Sequence, residues 1–394
     1  MKTLLLFLAI GLSVNSFGQP NFEWAINNGG IGQGNSITID ASGNVYAIGS
    51  FSGVVDFDPG VGTFNLSSNG QDDIFIQKID ANGSFLWAKS FGGIGNDKAS
   101  SITTDASGNV YTTGYFSLSG DFDPGVGTFN LSSNGSSDVF IQKLDVNGSF
   151  LWAKSIGGID SDLAGAITVD AVGNVYATGT VQSQVDFDPG IGILNLTSNG
   201  SYDFFVLKLN INGVFVWAKR MGGTGSDFGK AITTDASGNV YTTGYFTLSA
   251  DFNPGIGTFN LIANGGGRDC FIQKLDSNGS FLWATSMGGD GNDEANSITI
   301  DVFGNVLTTG GYKGAGDFDP GPGVFNLTGN GIYTDPFIQK LDSSGAFIWA
   351  KKFGGGNTDR AYSITTDASG NVYTTGFFRL SGDFDPGVGT FYLN

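Results

Sequence analysis

The chain has 394 residues, no histidine, a single cysteine, and 36 acidic against 18 basic residues, a net charge of −18. One thiol excludes a disulfide framework, and the missing imidazole removes the side chain best suited to proton transfer near neutral pH. An acidic surface repels nucleic-acid phosphates and anionic membranes and favours cations, so no nucleic-acid partner is expected.

Met1–Gly18 has the pattern of a secretory signal. Lys2 supplies the positive start, Leu4 to Val14 the apolar run, and small or polar residues lead to a cut before Gln19. The run is shorter than the roughly 20 apolar residues that span a bilayer. No later segment is long and apolar enough, so no membrane insertion is expected. The domain reading is a signal at 1–18 and one repeat domain at 19–394, secreted or held at the cell surface.

From Asn21 onward the chain repeats itself. The anchor Asp-x-x-Gly-Asn-Val recurs at Asp40, Asp105, Asp170, Asp235, Asp301 and Asp367, at spacings of 65, 65, 65, 66 and 66 residues. The six Trp residues, Trp24, Trp87, Trp152, Trp217, Trp283 and Trp349, follow the same period. One copy predicts a strand at Ser100–Asp105, a tight turn, and a second strand at Val110–Phe116. An acidic loop follows, with a small extra strand at Thr128–Leu131. The third strand is Asp138–Asp145, and an Asn147-Gly148 hairpin leads to the fourth at Phe150–Gly158. Val139 and Ile141 on one face of the third strand, and Phe140 and Leu144 on the other, require cover on both sides. Sheets flanked by copies of themselves meet that need.

The fold class expected is therefore all-β, a β-propeller of four-stranded blades, about six in this chain. The third strand, at Phe75, Phe140, Phe205, Phe271 and Phe337, occurs only five times, so the last blade is incomplete. Two readings stand. The chain is a piece of a longer protein lacking a C-terminal sorting domain, or the Asn21–Asn28 strand completes the final blade. The segments Ser101–Phe116 and Asp138–Gly158 resemble the SBBP-type β-propeller repeat of bacterial exported and surface proteins. That resemblance implies a propeller and no particular reaction.

The acidic loop "DFDPG" places two oxygen-bearing residues two apart in every copy: Asp56/Asp58, Asp121/Asp123, Asp186/Asp188, Asp251/Asn253, Asp317/Asp319 and Asp383/Asp385. Hard cations such as Ca²⁺ draw ligands from such loops. The competing reading is a Pro-Gly turn whose amides the Asp side chains accept, with Phe57, Phe122, Phe187, Phe252, Phe318 and Phe384 tucked inward. A second acid ladder, Asp97, Asp162, Asp227, Asp293 and Asp359, precedes the variable residues Lys98, Leu163, Phe228, Glu294 and Arg360, read as a loop-tip surface or as unconstrained exposed positions. The Trp ladder is read as packing between blades. Cys270, at a position held elsewhere by Ile74, Val139, Phe204 and Pro336, is expected to be buried and inert.

No copy carries an odd cluster of polar residues. The function expected is a non-enzymatic binding or adhesion scaffold, with a glycan, protein or matrix ligand and Ca²⁺ as the candidate ion. The alternatives are a structural spacer in a longer surface protein and a carbohydrate-active enzyme using paired carboxylates.

Overall fold

The computed structural model describes residues 24–26 and 31–393; the signal-like stretch lies outside them, as does the Asn21–Asn28 strand apart from Trp24, Ala25 and Ile26. The described chain is built of strands, and among the described residues no helix is long and apolar enough to cross a membrane. The described residues divide into two compact parts, one ending at Gly157 and the other starting at Gly158.

The second and third strands of each repeat explain the architecture. Val110–Phe116 and Asp138–Leu144 pair antiparallel over their whole length, and nearly every residue in both is buried. Such strands need a sheet with neighbours on both edges and cover on both faces. The edges are supplied within the repeat by Lys98–Thr104 and Phe150–Gly158. One face is covered by the preceding repeat, whose Ile74, Ile76 and Phe91 pack against it. The result is a four-stranded propeller blade. The first part holds the blade Ile31–Ile39, Val45–Ser52, Asp73–Ile79, Phe85–Gly93 and the blade just described. The second part holds three more, whose first strands are Leu163–Val169, Phe228–Thr234 and Glu294–Ile300. A sixth repeat contributes Arg360–Thr366 and Val372–Phe377. Val372–Phe377 has no third strand beside it among the described residues, and it is half-buried to exposed where its counterparts are buried.

Each turn between the first two strands is made by its own aspartate. Asp105 Oδ1 accepts the amides of Ser107 and Asn109 at 2.9 and 3.0 Å, while Oδ2 accepts Asn109 Nδ2 at 2.8 Å and the Tyr111 hydroxyl at 3.0 Å. Lys143 Nζ lies 4.8 Å from the centre of the Tyr111 ring. The fifth copy replaces that Tyr by Leu307, and Lys340 Nζ instead reaches Asp301 Oδ2 at 2.8 Å. Burial pushes the Asp301 carboxyl up, but the hydrogen bonds from Lys340 and Asn305 outweigh it and bring it down to about 2.

Blades in one part share their cores. In the first part Ile74, Ile76 and Phe91 pack in one cluster with Phe116, Phe122 and Phe140 of the next blade. In the second, Phe204 and Met221 join Phe246, Phe252 and Phe271, and Cys270 and Met287 join Tyr312, Phe318 and Phe337. The backbone also crosses: Gly92 and Gly93, ending the first blade, pair with Asp121 and Gly120 of the second. Ser119–Asp121 then pairs with Asn130–Ser132, so the predicted small strand is real and its partner is the start of the acidic loop. The same crossing joins Gly222–Gly223 to Ala250–Asp251 and Gly288–Gly289 to Gly316–Asp317.

One position of the connection after strand two is strained. It has positive φ in all six copies: Gly53 and Gly314 relieve it, while Leu118, Ser183, Leu248 and Leu380 adopt φ of 64°, 59°, 60° and 64°. A left-handed conformation costs a non-glycine residue about 1–2 kcal/mol, against about 0.5–1 kcal/mol of extra chain entropy lost by Gly. Leu248 is exposed and forfeits little packing. Leu248→Gly should therefore raise stability by about 0.5–1 kcal/mol, and Gly314→Ala, which meets no atom within 4 Å, should lower it by about 1 kcal/mol. Denaturant melts check both.

Candidate recognition loops and the seams that hold them

The acidic loops have one geometry in all six copies. The first Asp accepts, on Oδ1, the amide of the second acid position and an amide eight residues on. Asp121 takes Asp123 N at 3.0 Å and Phe129 N at 2.8 Å; Asp56, Asp186, Asp251, Asp317 and Asp383 do the same. The second position accepts the amide of the Gly after Pro: Asp58, Asp123, Asp188 and Asp319 at 2.8 Å, Asp385 at 2.7 Å, and Asn253 at 2.9 Å. Asn253 serves as well as any Asp, so the bond requires an oxygen and no charge. Both acids act as turn acceptors, and each loop brings only these two side chains together. Among the described residues no group of three or more His, Cys, Asp or Glu gathers in metal-binding reach.

The loop is rigid because both ends are anchored. Phe57, Phe122, Phe187, Phe252 and Phe318 are buried as expected, and Phe384 is half-buried. The buried Phe122 carbonyl accepts Gln142 Nε2 at 2.7 Å, a bond repeated from Gln77, Gln273 and Gln339 to Phe57, Phe252 and Phe318. Past the turn, Phe129 rests on Phe150 with ring centres 5.0 Å apart, as Phe64 does on Phe85 and Phe259 on Phe281. What remains for solvent is the tip. Val61, Val126, Ile191, Ile256 and Val388 are fully exposed, at 105–111%, and Pro322 holds the place in the fifth copy.

The second acid ladder is not exposed. Asp97, Asp162, Asp227, Asp293 and Asp359 are all buried. Asp227 Oδ2 accepts Gly223 N at 2.7 Å from the preceding blade, and Oδ1 accepts Thr247 N at 3.2 Å from its own. Asp97, Asp293 and Asp359 bind the equivalent amides. The neighbouring backbone adds a fixed bond across each seam: Asp97 N to Asp72 O, Asp227 N to Tyr202 O, Asp293 N to Arg268 O, and Asp359 N to Thr334 O, at 2.7–2.8 Å.

Four of the five variable residues beside these acids, Lys98, Phe228, Glu294 and Arg360, are seam partners, which corrects the reading of them as unconstrained. Lys98 pairs with Asp72 of the preceding blade. Phe228 meets Tyr202, ring centres 5.3 Å apart. Glu294 binds Arg268 at 2.6 Å and Arg360 at 3.3 Å, so three successive blades meet on one carboxylate. Lys230 and the Tyr245 ring adjoin this knot, with Lys230 Nζ 5.6 Å and the Arg268 guanidinium 4.6 Å from the ring centre. Burial lowers the Lys230 ammonium below the usual lysine range. Beside the knot is a cavity of ≈10 Å³, room for about one water, lined by Asn292, Asn296, Thr334 and Arg360. The copies are therefore unequal here. Lys98 and Leu163, against Phe228, Glu294 and Arg360, signalled that inequality in the sequence; the partners, 26 residues upstream, did not stand out.

The Trp ladder is half-buried and packs as expected. Trp217 lies edge-on to Tyr176, and its Nε1 donates to Ser277 O in the hairpin turn of the next blade at 3.2 Å. Trp24 does the same toward Ala81 at 3.1 Å. Cys270 is fully buried, and burial pushes its thiol upward, away from the reactive thiolate.

The sequence profile of the SBBP β-propeller repeat matches at residues 86–115, 216–253 and 348–376. At these three places the chain carries SBBP β-propeller repeats. Each matched span runs from a Trp strand, through the seam acid, into the second strand of the next blade, so the profile covers the seams. The chain is 26% identical over 333 residues to an uncharacterized WD repeat-containing protein of Acanthamoeba polyphaga mimivirus, covering 70% of this chain and 24% of that protein. It is 27% identical over 170 residues to the regulatory protein FlaEY of Caulobacter vibrioides, covering 42% of this chain and 17% of FlaEY. The chain thus spans a quarter or less of these relatives. Among solved structures, the Pan2 WD40 domain of Neurospora crassa aligns over 88% of this chain and 89% of its own, with TM-score 0.41 and 10% identity. A Bacteroides caccae protein of unknown function aligns over 71% of this chain and 89% of its own, with TM-score 0.33 and 10% identity.

The two readings of the acidic loop separate cleanly. As a turn former, Asp123→Asn should leave stability within about 0.5 kcal/mol, because Asn253 already makes the same bond, while Asp121→Ala should cost about 1–3 kcal/mol for two amides left without an acceptor. EDTA should not move either melt. A melt that EDTA lowers and Ca²⁺ restores would assign the loops to the ion.

Proposed function

We propose that the chain is a non-catalytic, multivalent binding scaffold of an exported or cell-surface protein, and that its contact elements are the acidic loops. The observation that carries this reading is the tip residue, a fully exposed Val or Ile in five of six copies. Each tip stands on a loop held by turn bonds to its two acid-position side chains, and those of Val61, Val126 and Ile256 also by a buried Phe and a Gln-to-carbonyl bond, so little ordering entropy is lost on contact. A tip flanked by carboxylates suits an apolar or basic spot on a protein, glycan or matrix partner, in keeping with the net charge of −18. One such contact is weak; repetition turns weak contacts into avidity. Acid-loop side chains that act as turn acceptors in every copy, one of them Asn253, do not converge on one reaction centre, which disfavours the glycosidase reading. The signal-like Met1–Gly18 supports export.

The test is retention of the whole chain on immobilised polylysine and on a panel of neutral and acidic glycans. Val61→Ser, Val126→Ser and Ile256→Ser are introduced singly and together. Single changes should weaken retention about two- to five-fold, and the triple change by 10²-fold or more, the signature of avidity. Retention that ignores the triple variant would remove the tips from recognition. No retention on any surface would favour the spacer reading.

A further inference from the structure

Behind the seam amides lies a second carboxyl. Asp73 faces Asp97, Asp203 faces Asp227, and Asp269 faces Asp293, each residue 0–1% exposed. The opposed oxygens share the space that a side chain would take at one glycine. Asp97 Oδ2 and Asp73 Oδ1 lie 2.7 and 3.2 Å from where a Cβ on Gly92 would stand. For Gly222 the distances to Asp227 Oδ2 and Asp203 Oδ1 are 2.7 and 2.6 Å, and for Gly288 those to Asp293 Oδ2 and Asp269 Oδ1 are 2.5 and 2.9 Å. These glycines have φ of +143°, +148° and +147°, so both the conformation and the missing side chain hold the space open.

The remaining oxygens are accounted for. Asp73 Oδ2 accepts Asn69 N and Nδ2 at 3.1 and 3.2 Å, and Asp269 Oδ2 accepts Asn264 N and Nδ2, both at 3.1 Å. Asp203 Oδ2 accepts Asn199 N at 3.0 Å and pairs with Arg220. Oδ1 of Asp73, Asp203 and Asp269 has no donor, although each is buried. A buried oxygen without a donor, facing a second carboxyl, is costly twice over, by desolvation and by like-charge repulsion. The fifth copy differs: Asp335 Oδ1 accepts Asn330 Nδ2 at 2.9 Å and lacks the orphan.

We propose that Oδ1 of Asp73, Asp203 and Asp269 each carries a proton donated to Oδ2 of Asp97, Asp227 and Asp293, so that these three seams are closed by acid–carboxylate pairs that rising pH opens. The charged groups around each pair are few. Asp72, itself paired with Lys98, adjoins the first; Arg220 adjoins the second; Asp290 and Glu294 adjoin the third, with the buried Cys270 beside it. Arg220 binds the second pair directly, whereas Lys98 and Arg268 stand beside the first and third through Asp72 and Glu294. Burial pushes Asp73 up to about 6, Asp227 and Asp269 up to about 7, and Asp293 up to about 6. A carboxyl raised on folding contributes stability below its unfolded value, near 4, and loses it as pH rises through 6 to 7. That sign is opposite to Asp301, which loses its contribution only as pH falls toward 2.

The experiment is thermal melting of the full chain at about pH 5 and about pH 8, with the infrared carboxyl band followed across the same range. Asp269→Asn places an N–H where the proton sits and removes its titration. The wild-type melt should fall from pH 5 to pH 8. The variant should fall less and should melt about 2 °C or more above wild type at pH 8. Asp203→Asn, which alters the side chain that Arg220 binds, should gain less. In the wild type a protonated-carboxyl band should persist above pH 5, a readout that does not depend on any variant folding. A band that vanishes near pH 4, or an Asn variant no better than wild type at pH 8, would overturn the shared proton. So would Ca²⁺ raising the wild-type melt at pH 8 with reversal by EDTA, which would give the space to a metal ion.

Discussion

No blade in this chain can bury itself. Its middle strands are apolar on both faces, so a sheet left alone would expose a row of Phe, Ile and Val to water on each side. At about 1.5–3 kcal/mol for each large side chain, exposure of one face would outweigh the few kcal/mol by which a domain is stable. Mutual cover between adjacent sheets is therefore the condition on which the other features rest. It explains why one hydrophobic cluster joins Phe91 to Phe122 and Phe140, and why Phe204 stacks on Phe271 at 4.5 Å across a blade boundary.

Mutual cover between near-identical sheets raises a problem of order, because each blade would fit many neighbours. The seams answer in two layers. The fixed layer is the buried acid that binds the last Gly amide of one blade and the turn amide of the next, with a backbone bond beside it. The variable layer flanks it: an ion pair at Lys98 and Asp72, an aromatic contact at Phe228 and Tyr202, and a two-Arg, one-Glu knot at Glu294. Exchanging neighbours would set Lys98 against Arg268, or Glu294 against Asp72. Like charges at such a seam disfavour the exchange, and misassembly is a characteristic failure of repeat proteins.

Much of this was readable from the residues. The second and fourth strands, Val110–Phe116 and Phe150–Gly158, have the bounds expected of them, because apolar runs closed by Asn-Gly turns leave little freedom of register. The inward Phe of the acidic loop and the buried Cys270 were equally legible. Three features were not. The partner of the short strand at Asn130 is the loop start itself, where Gly120 allows close approach but carries no strand signal. The burial of Asp97 and its relatives runs against the exposure usual for Asp, and only the three-dimensional positions of Gly93 and Ser117 reveal why. The seam pairs join different blades at 26 residues, or at 66 for Glu294 and Arg360, and their residue types change from copy to copy, so no repeated motif marks them.

Mutual cover is tested most directly by amide hydrogen exchange on the whole chain carrying Phe204→Ala. The substitution removes a ring that belongs to the third blade and rests on Phe252 and Phe271 of the fourth. If neighbouring sheets stabilise one another, protection should fall in Arg268–Leu275 together with Asp203–Leu209. Loss confined to Asp203–Leu209, with the fourth blade as protected as before, would contradict the account.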